Sequence, residues 1–325
     1  MDEIIADYIY HLELGEVQEH KDLYVFPLYH RDNFENYITL TEALNADLLT
    51  ITEVDNYGSV PELKVINLAS VPVLLLDGEE VVGAKQNRVL NTTILLKEKS
   101  ETIIPVSCTE QGRWSYNSLE FAESGNLASH RVRHRKSTSV NQSLKEKGSF
   151  HSNQRIVWEG IDEISEQSGV SSSTRAMRDV YQSRVGELEE YHRSFPVQDG
   201  QKGILVMYNG EVMGLDIISS SISYLHLHRK LLNSYALEAI ISEGVSEEGS
   251  NGRKKAKSFL DEARLSMDEK HKSVGYGWDH RLEGPGVVGS SLTHQQQVIH
   301  TALFKDLQDE NQEISSYRQR MSFRK

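Results

Sequence analysis

Apolar positions in the first third of the chain fall in short, β-branched runs rather than at helical spacing. LYVFPLY (23–29), LLTITEV (48–54), LKVINLA (63–69), VPVLLL (71–76) and IIPVSC (103–108) read as strands, because such runs bounded by turn formers favour extended backbone. Asp77-Gly78 is a hairpin signal and predicts a return strand over 81–96, VVGAKQNRVLNTTILL. A short helix interrupts the series at 39–44, where Thr39 and Glu42 have capping-box spacing.

Between 119 and 152 the pattern is lost. Ser, Asn, Lys and Arg dominate, His130 to Lys136 read HRVRHRK, and the stretch is expected to be a basic linker or mobile loop. Helical spacing follows at Ile156, Val157, Ile161 and Ile164, with Gly169 as a stop. Met177, Val180, Tyr181, Val185, Leu188 and Tyr191 then form one stripe of a long helix, capped by Ser171 to Ser173 and ending before Pro196. A hairpin is expected over 203–218 around Asn209-Gly210, and helices over 225–242 and 253–265. Strands over 271–281 and 287–304 meet at Gly284-Pro285-Gly286, and the polar tail from 311 is expected to fray.

These elements predict an α+β fold with a β-rich N-terminal half and a C-terminal half of helices plus hairpins. The expected division is a β-rich lobe over 1–118, the linker over 119–152 and an α+β lobe over 153–310. The two lobes are either separate or one composite domain.

The chain carries 35 Lys and Arg against 48 Asp and Glu, a net charge of −13 that argues against general nucleic-acid binding. Cys108 is the single cysteine, which excludes an internal disulfide and a cysteine-rich zinc site. The N-terminus is acidic where a secretion signal needs basic residues, and no apolar run nears the ~20 residues of a membrane helix, so a cytoplasmic, non-membrane protein is expected. The sequence has no G-x-S-x-G, and its G-x-G-x-x-G, Gly284 to Gly289, falls on the turn between two expected strands with no helix after it, so α/β-hydrolase and dinucleotide-binding readings are poor.

One segment contradicts its surroundings. Lys85, Gln86, Asn87, Arg88 and Asn91 interrupt an apolar strand on both of its faces. A covered strand cannot hold such groups unpaired, since each costs ~1–3 kcal/mol. Either they face solvent, as on an ordinary antiparallel sheet, or they line a polar recess. Glu79 and Glu80 at the start of the strand, and Glu110, Arg113 and Trp114 beyond IIPVSC, favour the recess. Glu80 and Glu110 are the candidate catalytic carboxylates. Gln86, Asn87, Arg88, Asn91, Arg113 and Trp114 are the candidate ligand-binding residues, the arginines for phosphate and the indole for stacking. Asp77, Glu79 and Glu80 could hold Mg²⁺, so a divalent metal is the candidate cofactor. Cys108 sits in a strand that reads as buried and is expected to be a core residue.

Glu53, VPELKVINL, LLLDGEEVVGAKQNRVLN and IPVSCTEQGRWSY together resemble a prokaryotic family without an assigned activity. It is named for association with ADP-ribosylglycohydrolase and with rhodanese and phosphatase superfamily proteins. GILVMYNGEVMGLD and VIHTALF extend the resemblance over most of the chain. The resemblance implies a cytoplasmic role near ADP-ribose or NAD metabolism and no particular mechanism. Its signature polar positions fall on Glu80, Gln86, Asn87, Arg88, Glu110, Arg113 and Trp114. The expected partner is therefore a small, nucleotide-derived phosphorylated molecule, held by an enzyme or by a non-catalytic sensor.

Overall fold

The computed structural model describes residues 1–55, 58–242 and 251–306. The α+β class holds, with strands dominating the N-terminal half. Leu23–Tyr29 pairs with the short strands Glu13–Leu14 and Gln18–His20 on one side and with Gly203–Tyr208 on the other, in a nine-stranded antiparallel sheet. That sheet continues through Glu211–Ile218, Gln297–Lys305, Val287–His294 and Trp278–Gly284 to the edge strand Met267–Lys272. A second sheet of six strands runs in the order Phe121–Leu127, Glu79–Gly83, Arg88–Leu90, Ser100–Cys108, Glu62–Asn67, Leu49–Glu53. Ile94–Leu96, Val73–Leu75 and Ile38–Thr39 make a small third sheet.

Helices cover the large sheet on both faces. Glu3–Tyr10 and Gly252–Arg264 bury Ile5, Ile9, Phe259 and Ala263 against Leu205, Leu215 and Leu303 on one face. Ser221–Ile241 buries Tyr224, Leu227, Leu231 and Tyr235 on the other, against Val206, Ile218 and Ile299. Burying a large apolar side chain contributes roughly 1.5–3 kcal/mol, so this two-sided cover dominates the stability of the sheet. No helix among the described residues is long and apolar enough to cross a membrane.

Several sequence expectations change, among them the strand over 271–281, which is split between the paired strands Met267–Lys272 and Trp278–Gly284. The strand over 81–96 is three short strands, because Gly83 (φ 129°) and Ala84 (φ 37°) turn the chain and 91–92 bends it again. The turn at Asp77-Gly78 is present, closed by Glu79 N–H to the Leu76 carbonyl (3.1 Å). Its flanks, however, enter different sheets, Val73–Leu75 pairing with Ile94–Leu96. The helix expected over 171–195 breaks at Arg184 into Met177–Ser183 and Val185–Ser194. The strand over 287–304 is a hairpin, reversed at Gln295-Gln296 by left-handed φ of 50° and 60°.

The largest correction is at 119–152. There is no linker there but the strand Phe121–Leu127 followed by the 18-residue helix His130–Lys147. Ser129 caps the helix at its start, its side chain accepting from Val132 N–H, and left-handed Gly148 ends it. The basic run lies on this helix, and Arg133 and Lys136 are fully buried. The tail from 311 lies outside the described residues.

Candidate functional site

The tight turn between Glu79–Gly83 and Arg88–Leu90 carries the polar segment. A side chain at Gly83 would meet the Glu120 carbonyl at 2.8 Å, so this backbone position needs glycine for space as well as for φ. Asn87 is fixed from two sides: its N–H donates to Glu110 Oε2 (3.2 Å), and its carbonyl accepts from Thr109 N–H (3.0 Å). Arg113 then ties the turn to the loop after Ser100–Cys108. Its Nε donates to Glu110 Oε2 (2.9 Å), Nη1 to the Ala84 and Ser115 carbonyls (2.6 and 2.8 Å), and Nη2 to Gly83 O and Asn87 Oδ1 (3.1 and 3.2 Å). Every guanidinium N–H is thereby engaged.

An open cleft of about 390 Å³ lies beside this turn. Asn87, Glu110 and Arg113 line one wall; Arg178, Asp179 and Gln182 of the Met177–Ser183 helix line the other. The walls are held together where Gln111 and Gly112 N–H both donate to the Thr174 carbonyl (3.0 and 2.9 Å), where Met177 N–H donates to the Thr109 carbonyl (2.9 Å), and where Arg175 Nη1 donates to Gln111 Oε1 (3.0 Å). Gly112 has no room for a side chain, since a Cβ would come within 2.9 Å of Thr174 Cα. Arg178 is exposed, and the Gln182 amide oxygen, turned toward it, accepts from its Nε at 3.0 Å.

Glu80 lies under the cleft rather than in its lining. It is fully buried, one carboxyl oxygen accepting from Thr109 Oγ1 (2.6 Å) while the other has no partner among the described residues. Burial pushes its carboxyl up to about 7, with Glu110 adding to the rise against the opposing pull of Thr109, Ser124 and Arg178. A family model, the ARG and Rhodanese-Phosphatase-superfamily-associated Protein domain, matches residues 11–304. The chain belongs to this family. No curated protein and no solved structure matches it.

The resemblance to the family rested on residues that the structure separates into groups. Asn87, Glu110 and Arg113 meet at the cleft, with Glu80 behind them. Arg88 does not join them. It is buried on Glu53 (3.6 Å), donates to the Gln86 carbonyl (3.0 Å) and lies under the half-exposed Trp114 ring, 5.7 Å from its centroid. Lys85 stands over the same indole at 5.5 Å. Gln86 is buried beside Arg88, and Asn91 is buried elsewhere, its Oδ1 accepting from Ser107 Oγ (2.8 Å). Arg178, Gln182 and Thr109 were not singled out from sequence. The available signal was weak: polar positions on the face of a helix opposite its apolar stripe.

In this member of the family the acidic turn does not fit a divalent metal. Asp77 pairs with Lys136, Glu79 with Lys230 (2.6 Å) and Glu80 with Thr109, so the three carboxylates diverge onto separate partners. Asp2, Asp268 and His280 do converge, but Asp2 caps Ile4 and meets Lys270, and Asp268 already accepts from Asp2 N–H and faces His280 Nδ1. Cys108 is buried, and burial pushes its thiol up to about 11, so it is a core residue with little thiolate.

The basic helix makes a second polar assembly, sealed between the sheets. Arg133 grips Asp216 with two bonds (2.9 and 2.6 Å), Tyr235 donates to the same carboxylate (2.7 Å), and His300 Nε2 meets it at 3.2 Å. His300 Nδ1 contacts Thr93 Oγ1 (2.8 Å), which accepts from Asp77 N–H (3.0 Å). Burial pushes the Asp216 carboxyl up, but Arg133 and His300 outweigh it and hold it below the usual carboxylate range.

Proposed function

We propose that this chain binds a nucleotide-derived phosphorylated small molecule in the cleft between the Asn87–Arg113 wall and the Met177–Ser183 helix, and acts on it chemically. The observation supporting this reading most is the convergence of guanidinium, carboxylate and amide groups from three separate segments on one open recess. Arg178, exposed at the rim, is the residue available to hold phosphate. Arg113 is engaged throughout and keeps the wall in place. Glu110, which lines the cleft, is the carboxylate placed to reach the ligand, and Glu80, one layer behind it with its carboxyl near neutrality, is the proton reserve. Asn87 orients the ligand, Gln86, Arg88 and Asn91 support the turn, and Trp114, outside the cleft lining and with Arg88 and Lys85 against its ring, is half exposed for edge contact with a base or sugar. The family name, which refers to ADP-ribosylglycohydrolase, supports ADP-ribose or NAD chemistry in a cytoplasmic setting as the first place to look.

A second reading, a non-catalytic sensor using the same cleft, is favoured by the engagement of Arg113 and Glu110 with each other. Thermal-shift screening against ADP-ribose, NAD and sugar phosphates tests both, because a ligand that binds only the folded chain raises its apparent stability. An upward shift with one of them is expected, and its absence for all would remove both readings. Glu80→Gln separates the two: turnover lost with binding intact marks an enzyme, and binding unchanged where the wild type shows no turnover marks a sensor.

A further inference from the structure

A separate cavity of about 280 Å³ lies at the outer face of the large sheet, between the first helix and the Gln295-Gln296 turn. Its lining contains three carboxylates, Glu3, Asp7 and Asp32, and no Lys, Arg or His. Tyr8 lines it as well, is 3% exposed, and its hydroxyl has no hydrogen-bond partner among the described residues. Gln297, on the opposite wall, has a buried side-chain oxygen without a partner. Burial, then Tyr37 and then Asp32 raise the Tyr8 hydroxyl above its ordinary range, so the hydroxyl lies within the field of one of the lining acids. A buried polar atom left unpaired costs about 1–3 kcal/mol, and this cavity gathers two of them around an acceptor-rich wall.

We propose that this cavity is a binding site for an aliphatic ammonium compound, a linear di- or polyamine. The acids and the Gln297 oxygen accept from its N–H groups, the Tyr8 hydroxyl completes the set, and Ile4 and Val298 supply apolar contact for its methylenes. A divalent cation fits less well. It needs several oxygens closing on one point, and among the described residues the group of three carboxylates and histidines whose ligand atoms all lie within 4.8 Å of one another is Asp2, Asp268 and His280, none of which lines this cavity. The neighbouring cations leave the acids accessible. His11 meets exposed Asp7 at 3.3 Å, Arg31 and His30 stand 3.9 Å from Asp32, and Lys202 binds the Asp32 carbonyl rather than its carboxylate.

The test is calorimetric titration of the full chain with spermidine and with 1,5-diaminopentane, repeated with Mg²⁺ and Ca²⁺. Saturable amine binding is expected, weakened roughly tenfold or more by Asp7→Asn combined with Asp32→Asn, and less by Tyr8→Phe. The control Glu101→Gln, an exposed acid elsewhere, should leave it unchanged, which separates the site from the general pull of a −13 chain. Melting curves of each variant confirm folding. Absence of saturation, equal binding by Asp7→Asn/Asp32→Asn and wild type, or tighter binding of the metals than of the amines would overturn the proposal.

Discussion

Two polar assemblies in this chain use the same residue types to opposite ends. Between the sheets, Arg133, Asp216, Lys136 and Asp77 are buried and paired charge for charge, although Arg133 Nε has no hydrogen-bond partner among the described residues. At the cleft, Arg113 and Glu110 are matched in the same way, yet Arg178 and Gln182 stand exposed beside them and Glu80 keeps one oxygen unpaired. Complete matching of buried charge stabilises a fold and leaves nothing for a guest. Incomplete matching next to an opening is what a binding site needs. The density of charge in the sequence does not distinguish the two; the exposure of Arg178 and Gln182 on an open recess does.

Removing one partner from the sealed assembly should have the largest effect on stability. Arg133→Met leaves Asp216 buried without its guanidinium and should cost about 3–5 kcal/mol in urea denaturation. A loss below about 1 kcal/mol would mean that the pair is hydrated and the contrast with the cleft is false.

Glu80 sharpens the comparison through pH. Its carboxyl ionises near 4.5 when the chain is unfolded and near 7 when folded, so the folded state holds the proton longer. Its stability contribution is intact below about pH 4.5 and is lost as pH rises through 7. Glu80→Gln should therefore gain on the wild type as pH rises, approaching about 3 kcal/mol above pH 7. A difference that stays flat between pH 5 and about 8 would show that Glu80 is already ionised or hydrated in the fold.

Arg113→Ala comes next, at about 1–3 kcal/mol, because it frees Glu110 and the Gly83 and Ala84 carbonyls. It should also raise amide exchange over 84–87. Unchanged exchange there would show that Arg113 does not hold the turn.

Local chemistry made much of this fold legible. The β-branched runs at 23–29, 48–54 and 103–108 are strands, and Thr39 with Glu42 forms the capping box its spacing suggested. Non-local chemistry was not legible. HRVRHRK reads as a solvated loop because its acids, Asp77 and Asp216, lie 59 and 83 residues from Lys136 and Arg133. The break in 81–96 depends on left-handed Ala84, a conformation that alanine rarely adopts. Of the candidate site, Asn87, Glu110 and Arg113 were recoverable because amides and charges interrupted greasy strands. Arg178 and Gln182 reach the same cleft through the contacts of Thr109, Gln111 and Gly112 with 174–177, which no spacing in the chain encodes.

Arg178→Ala is the variant on which the cleft reading turns, since an exposed side chain on a short helix should change stability by no more than about 0.5 kcal/mol. The decisive measurement is the melting-temperature shift produced by ADP-ribose in the wild type and in this variant. A rise in the wild type that disappears in Arg178→Ala, with the unliganded melting points equal, is the expected result. An identical rise in both would place the ligand elsewhere and contradict the reading of the cleft.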